Sequence, residues 1–80
     1  NSNTDYKIYP NPTKDGFVFI ENIANAQQIK VVDALGRVLK SINNIKDNTL
    51  KLNLSNYKKG VYYISITNSI NVITEKLVVQ

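Results

Sequence analysis

Neither cysteine nor histidine occurs among the 80 residues, and methionine and tryptophan are absent as well. Without cysteine no disulfide can staple a small core, and no thiolate is available for nucleophilic attack or metal binding. Without histidine the side chain that most often moves protons near neutral pH is missing, along with the commonest metal ligand. The three glycines stand singly, so no glycine-rich phosphate cradle forms. No apolar run approaches the ~20 residues that a membrane-spanning helix needs. Carboxylates are few: Asp5, Asp15, Glu21, Asp33, Asp47 and Glu75. They lack the spacing of an EF-hand calcium loop. Asp15, Asp33 and Asp47 fall in turn-like segments, where capping the backbone is the ordinary role. These absences predict a chain that is not an enzyme and that has no metal site and no cofactor.

What is present fits one small domain. At roughly 0.05–0.15 kcal/mol per residue its stability amounts to about 4–12 kcal/mol, all of it from an undisulfided core. The net charge is +4, from ten Lys and Arg against six Asp and Glu. Nine of those ten cations are lysines; Arg37 alone can form a bidentate fork on phosphate or guanine. The lysines are scattered, with Lys58-Lys59 the one adjacent pair, which suits solubilising decoration of strands and sheet edges. Nucleic acid is therefore not an expected partner. The start, residues 1–5, is polar, with neither the basic nor the apolar part of a signal peptide. It reads as a linker to a larger protein.

Short β-rich runs separated by turn residues dominate the chain, the pattern of a sandwich or barrel. They cover residues 6–9, 17–20, 28–32, 37–42, 49–54, 61–67 and 72–79. In the fifth, Leu50, Leu52 and Leu54 share one face while Lys51 and Asn53 share the other. In the sixth, Tyr62, Ile64 and Ile66 alternate with Val61, Tyr63, Ser65 and Thr67. Tyr62 and Tyr63 therefore point to opposite faces, one of them into the core. Pro10 and Pro12 interrupt the chain after the first run, and Gly16 closes the turn that follows. Asp33-Ala34-Leu35-Gly36 predicts a hairpin whose Asp caps the backbone and whose Gly takes positive φ. Gly60 marks a further corner. One turn of helix over residues 24–28 is the most that the pattern permits. The predicted fold is all-β: a seven-stranded antiparallel two-sheet sandwich. A five-stranded OB barrel is the alternative, and the helix it normally carries has no sequence here.

Four pieces, in order, carry a family resemblance: Tyr9-Pro10-Asn11-Pro12-Thr13 with Gly16 after it; Val32-Asp33-Ala34-Leu35-Gly36-Arg37-Val38; Leu52-Asn53-Leu54-Ser55 leading to Gly60-Val61-Tyr62; and Lys76-Leu77-Val78-Val79. Together they span nearly the whole chain, which resembles the type A C-terminal sorting domain of type IX (Por) secretion cargo. The resemblance implies an Ig-like sandwich at the end of a protein exported to the periplasm by an N-terminal signal. It implies as partners an outer-membrane translocon, a shuttle and a sortase-like peptidase, with the cargo domain on the N-terminal side. The peptidase commonly removes such a domain and joins the cargo to an anionic lipopolysaccharide, at the cell surface or outside it.

On that reading residues 1–5 are the cleavage-proximal segment and residues 6–80 the sorting domain. The export signal falls in the last strand, on Lys76, Leu77, Val78 and Val79, where a partner reaches an edge and the final side chains. Leu77 and Val79 have the alternative role of plain core residues. Pro10, Pro12, Gly16, Asp33, Gly36 and Gly60 are scaffold. Arg37 pairs with a hairpin carboxylate or meets a partner. A rival function is an Ig-like or fibronectin-like adhesion or glycan-binding module, since sandwiches host both roles. A last apolar strand ending one residue before the chain does favours sorting.

Overall fold

The computed structural model describes residues 6–80. Seven strands follow in order: β1 (Lys7–Tyr9), β2 (Phe17–Glu21), β3 (Gln28–Asp33), β4 (Val38–Asn43), β5 (Thr49–Asn53), β6 (Gly60–Thr67) and β7 (Val72–Val79). They form two antiparallel sheets, one ordered β1-β2-β5 and the other β4-β3-β6-β7. The chain is thus the predicted all-β two-sheet sandwich. Strand β5 pairs with β2 rather than with β4, which precedes it, so the chain crosses between sheets in the Greek-key manner.

The core follows from period-two alternation on the inner faces. Val18 and Ile20 from β2 and Leu52 from β5 meet Ile29 and Val31 from β3 and Tyr62, Ile64 and Ile66 from β6, all buried. Leu54, just past β5, is buried as well, whereas Leu50 is half-buried at the periphery. Tyr63 faces outward, 37% exposed, against 7% for Tyr62. The register of β3 on β4 slips between Val31 and Val32, so that Val31 pairs with Lys40 and Val32 with Val38. This bulge gives β4 one extra residue, Leu39, which turns inward against the core.

Turn chemistry holds the corners. The predicted Asp33–Gly36 hairpin is present: Asp33 Oδ1 accepts the Leu35 and Arg37 N–H groups, both at 2.9 Å, and Gly36 takes φ +88. Arg37 Nε donates to Asp33 Oδ2 at 2.7 Å, so the arginine pairs with the hairpin carboxylate. The Arg37 amide, more than any other contact, holds the Asp33 carboxyl below its ordinary pKa. At the β6–β7 turn, buried Asn68 accepts the Ile70 and Asn71 N–H groups. Residues 24–28 contain a turn, with the Ala26 amide bonded to Ile23 O, and no helix. Among the described residues every buried side-chain nitrogen or oxygen has a partner.

Candidate functional site

Strand β7 is an edge of the four-stranded sheet, paired along its length with β6 from Val72↔Thr67 to Val79↔Gly60. In such a ladder alternate residues turn their backbone groups away from the neighbour. On β7 these are the even-numbered residues, and an exposed row of them is a template for another strand. Here part of the row is already occupied.

The occupant is the segment between β1 and β2. Asn11 donates from Nδ2 to Lys76 O at 2.7 Å and accepts the Val78 N–H on Oδ1 at 3.1 Å. Thr13 continues the contact through its backbone, donating to Val78 O at 2.9 Å and accepting the Gln80 N–H at 2.8 Å. Thr13 thereby forms a parallel bridge to Val79, joining the stretch after β1 of the first sheet to the edge of the second. The Tyr9–Pro10 and Asn11–Pro12 peptide bonds on either side of Asn11 are both cis. Farther along β7 the clasp ends. Among the described residues no such partner reaches the outward backbone groups of Thr74.

The clasp has its own anchor. Thr13 is fully buried; its hydroxyl accepts the Gly16 N–H at 3.2 Å and donates to Phe17 O at 2.9 Å. Gly16 has φ +87, and its carbonyl accepts the Leu54 N–H at 2.8 Å. A Cβ built on Gly16 would stand 2.6 Å from Ser55 Cα, a backbone atom that cannot swing aside. The close approach of the two backbones, and not φ alone, demands glycine here. Asp15 adds its Oδ1 to the Phe17 N–H at 3.0 Å, and that bond chiefly lowers its pKa.

The structure splits the four candidate recognition residues by face. Leu77 and Val79 point inward and are buried, at 0% and 6% exposure. Lys76 and Val78 point outward, where register sets them beside Tyr63 and Val61 of β6. Of the scaffold residues, Pro10, Pro12 and Gly16 flank the clasp, and Gly60 pairs with Val79. Asp33 and Gly36 stand apart, in the β3–β4 hairpin. The cleavage-proximal segment, residues 1–5, lies outside the described residues.

Asn11 and Thr13 are the residues that sequence reasoning gave no site role. Both lie within the Tyr9–Thr13 motif, but alternation and turn rules read them only as turn formers. The available signal was a Thr three residues before a Gly, a spacing that lets a hydroxyl accept the glycine amide. The tyrosines form no common platform: Tyr9 stacks on Phe19, with ring centroids 5.7 Å apart, and Tyr62 is core. Among the described residues no group of three or more acidic side chains is placed to hold a metal ion. No helix there is long and apolar enough to cross a membrane.

Residues 7–80 match the family described as secretion system C-terminal sorting domain. Among curated proteins, ulvan lyase NLR42 of Nonlabens ulvanivorans is 32% identical to the chain over 74 residues. The aligned stretch is 91% of this chain and 14% of that protein, so the chain spans about a seventh of the length of the curated relative it matches. With its all-β sandwich and nearly its whole length matched, the chain belongs to the family of type IX secretion C-terminal sorting domains.

Proposed function

We propose that this domain carries a cargo, attached on its N-terminal side, through the type IX outer-membrane translocon, and that β7 with its clasp is the region the machinery reads. Lys76 and Val78 present their side chains to the partner. Leu77 and Val79 act from beneath, fixing the register that aims the other two outward. The observation that supports this most directly is the family match over residues 7–80, which includes the whole of β7. The domain has no catalytic part in the cargo's chemistry. In the ulvan lyase relative the matched portion is a small share of the length, which supports a sorting part separate from the cargo's own chemistry.

After export, a sortase-like peptidase cuts at residues 1–5, a polar junction ahead of the first strand. The cargo then passes to the outer-membrane surface or the medium. Transit runs through the periplasm, and a shuttle delivers the cargo to the peptidase.

A reporter carrying an N-terminal export signal and residues 1–80 tests the sequence of events in a bacterium with the machinery. The reporter reaches the cell exterior, and Lys76→Glu combined with Val78→Thr holds it in the periplasm while the domain stays folded. Export of both fusions alike sinks the role of β7. Mass spectrometry of exported reporter reads the cut: a product retaining residues 6–80 sinks the cleavage step.

A further inference from the structure

An open groove of about 440 Å³ lies at one end of the sandwich, between the β3–β4 hairpin and the loop leading into β6. Its volume falls within the range of ligand pockets, about 300–1,000 Å³. Aliphatic side chains line it: Leu35 at the tip of the hairpin is 80% exposed, and Leu39 and Val61 also border the groove. The lining is basic as well. Arg37, Lys58 and Lys59 all line the groove. The one carboxylate among its described lining residues, Asp33, is spent on the hairpin: it accepts two backbone amides and the Arg37 Nε–H. Among the described residues Lys58 and Lys59 have no ion pair. The groove therefore carries uncompensated positive charge beside exposed aliphatic surface.

The lysine loop is also held in place. The Tyr62 hydroxyl donates to Lys58 O, and the Tyr57 N–H donates to Leu54 O at 3.0 Å. The Tyr57 and Tyr62 rings lie tilted against one another, 6.1 Å between centroids, with Tyr62 in the core. Tyr62 is 7% exposed and Tyr57 is half-buried, whereas Leu35 is 80% exposed, so the most open apolar contact in the groove is aliphatic. That chemistry suits a peptide side chain better than a sugar ring.

We infer that this groove is a docking site for a protein partner that inserts a segment bearing carboxylates beside a bulky aliphatic side chain. The aliphatic group packs against Leu35 and Val61, and the carboxylates face Arg37, Lys58 and Lys59. Charge complementarity accelerates encounter and fixes the orientation of the segment. Assigning the partner to the secretion machinery rests on the function proposed above; the groove's preference for an acidic segment does not.

The test is a titration of the isotope-labelled 80-residue chain, followed by backbone amide shifts. The probes are a capped pentapeptide of alternating glutamate and leucine, its lysine-for-glutamate counterpart, and an alginate hexamer. The glutamate peptide is expected to shift the amides of Leu35, Gly36, Lys58 and Lys59 saturably, with affinity falling as salt rises. Leu35→Ser, and Lys58→Glu with Lys59→Glu, each weaken it about tenfold or more, a change of about 1.4 kcal/mol per decade. The remaining amide shifts of the variants stay those of the folded parent. Absence of saturable binding, shifts that map elsewhere, equal binding of the lysine peptide, or preference for the alginate overturns the proposal. Reporter fusions run in parallel separate the two failures. A parent fusion retained in the periplasm defeats the sorting function and leaves the groove standing, whereas an exported parent whose domain binds no peptide defeats the groove alone.

Discussion

Asn11 and Val78, 67 positions apart in sequence, are joined by a hydrogen bond from the Val78 amide to the Asn11 side-chain oxygen. The same side chain donates to Lys76 O, so one exposed asparagine occupies outward backbone groups on two residues of the edge strand. Replacing Asn11 with Ala frees both groups to water. Each lost bond costs about 0.5–1.5 kcal/mol. Hydrogen exchange should accelerate at the Val78 amide much more than at Leu77, whose amide faces β6. Equal acceleration at both amides would count against the clasp.

Gly16 and Gly36 have nearly the same φ, +87 and +88, and different surroundings. An added Cβ meets backbone atoms of Leu54 and Ser55 at Gly16, and nothing within 4 Å at Gly36. Alanine at either position bears the cost of a left-handed conformation, of order 1–3 kcal/mol. At Gly16 the clash adds to it and breaks the bond from Leu54. Urea unfolding should therefore place Gly16→Ala well below Gly36→Ala in stability; matching midpoints would remove the close-approach argument.

Leu77 and Lys76 are neighbours in β7 with opposite fates. Leu77→Ala should cost about 2–5 kcal/mol, a large share of what an 80-residue domain has. Lys76→Ala should leave stability within about 0.5 kcal/mol. Thermal unfolding measures both. Deleting residues 74–80 removes Leu77 and Val79 from the core, so loss of export after that deletion reports unfolding as readily as a lost signal. The outward-facing substitutions separate the two.

Acid should loosen the β3–β4 hairpin. The Asp33 carboxyl has a folded pKa below its unfolded value, first because it accepts the Arg37 amide and then through the Arg37 side chain. A depressed carboxylate pKa stabilises the fold fully above the unfolded value, about 3.9, and the contribution disappears as pH falls through the folded one. Between about pH 6 and about pH 2 the wild-type chain should lose more stability than Asp33→Asn does. Equal losses would place the acid sensitivity elsewhere, Asp15 being the next carboxyl with a lowered pKa.

Much of this architecture was legible in the residues themselves. The alternation of Leu52 with Lys51 and of Ile64 with Tyr63 marked the faces of β5 and β6 correctly, because each of those strands has one face toward the core. The Asp33–Gly36 turn was legible because its bonds lie within five residues. Thr13 and Asn11 were not, since their partners on β7 lie more than sixty residues away and alternation rules carry no such information. The inward turn of Leu39 was hidden for a related reason: a bulge shifts the period by one residue, and only the neighbouring strand reveals it. For the candidate site, period two already implied that Leu77 and Val79 share a face. Which face was the core depended on the sheet order.

The parallel bridge between Thr13 and Val79 also has a mechanical meaning. When tension pulls residues ahead of Asn11 one way and residues near Gln80 the other, the two parallel stretches are drawn in opposite directions along their length. Their hydrogen bonds are then sheared together rather than opened one after another. A cargo tugging on the front of the domain loads the β1–β2 pairing and, behind it, this joint, and single-molecule stretching held near Gln80 would register the joint as a sheared point of resistance.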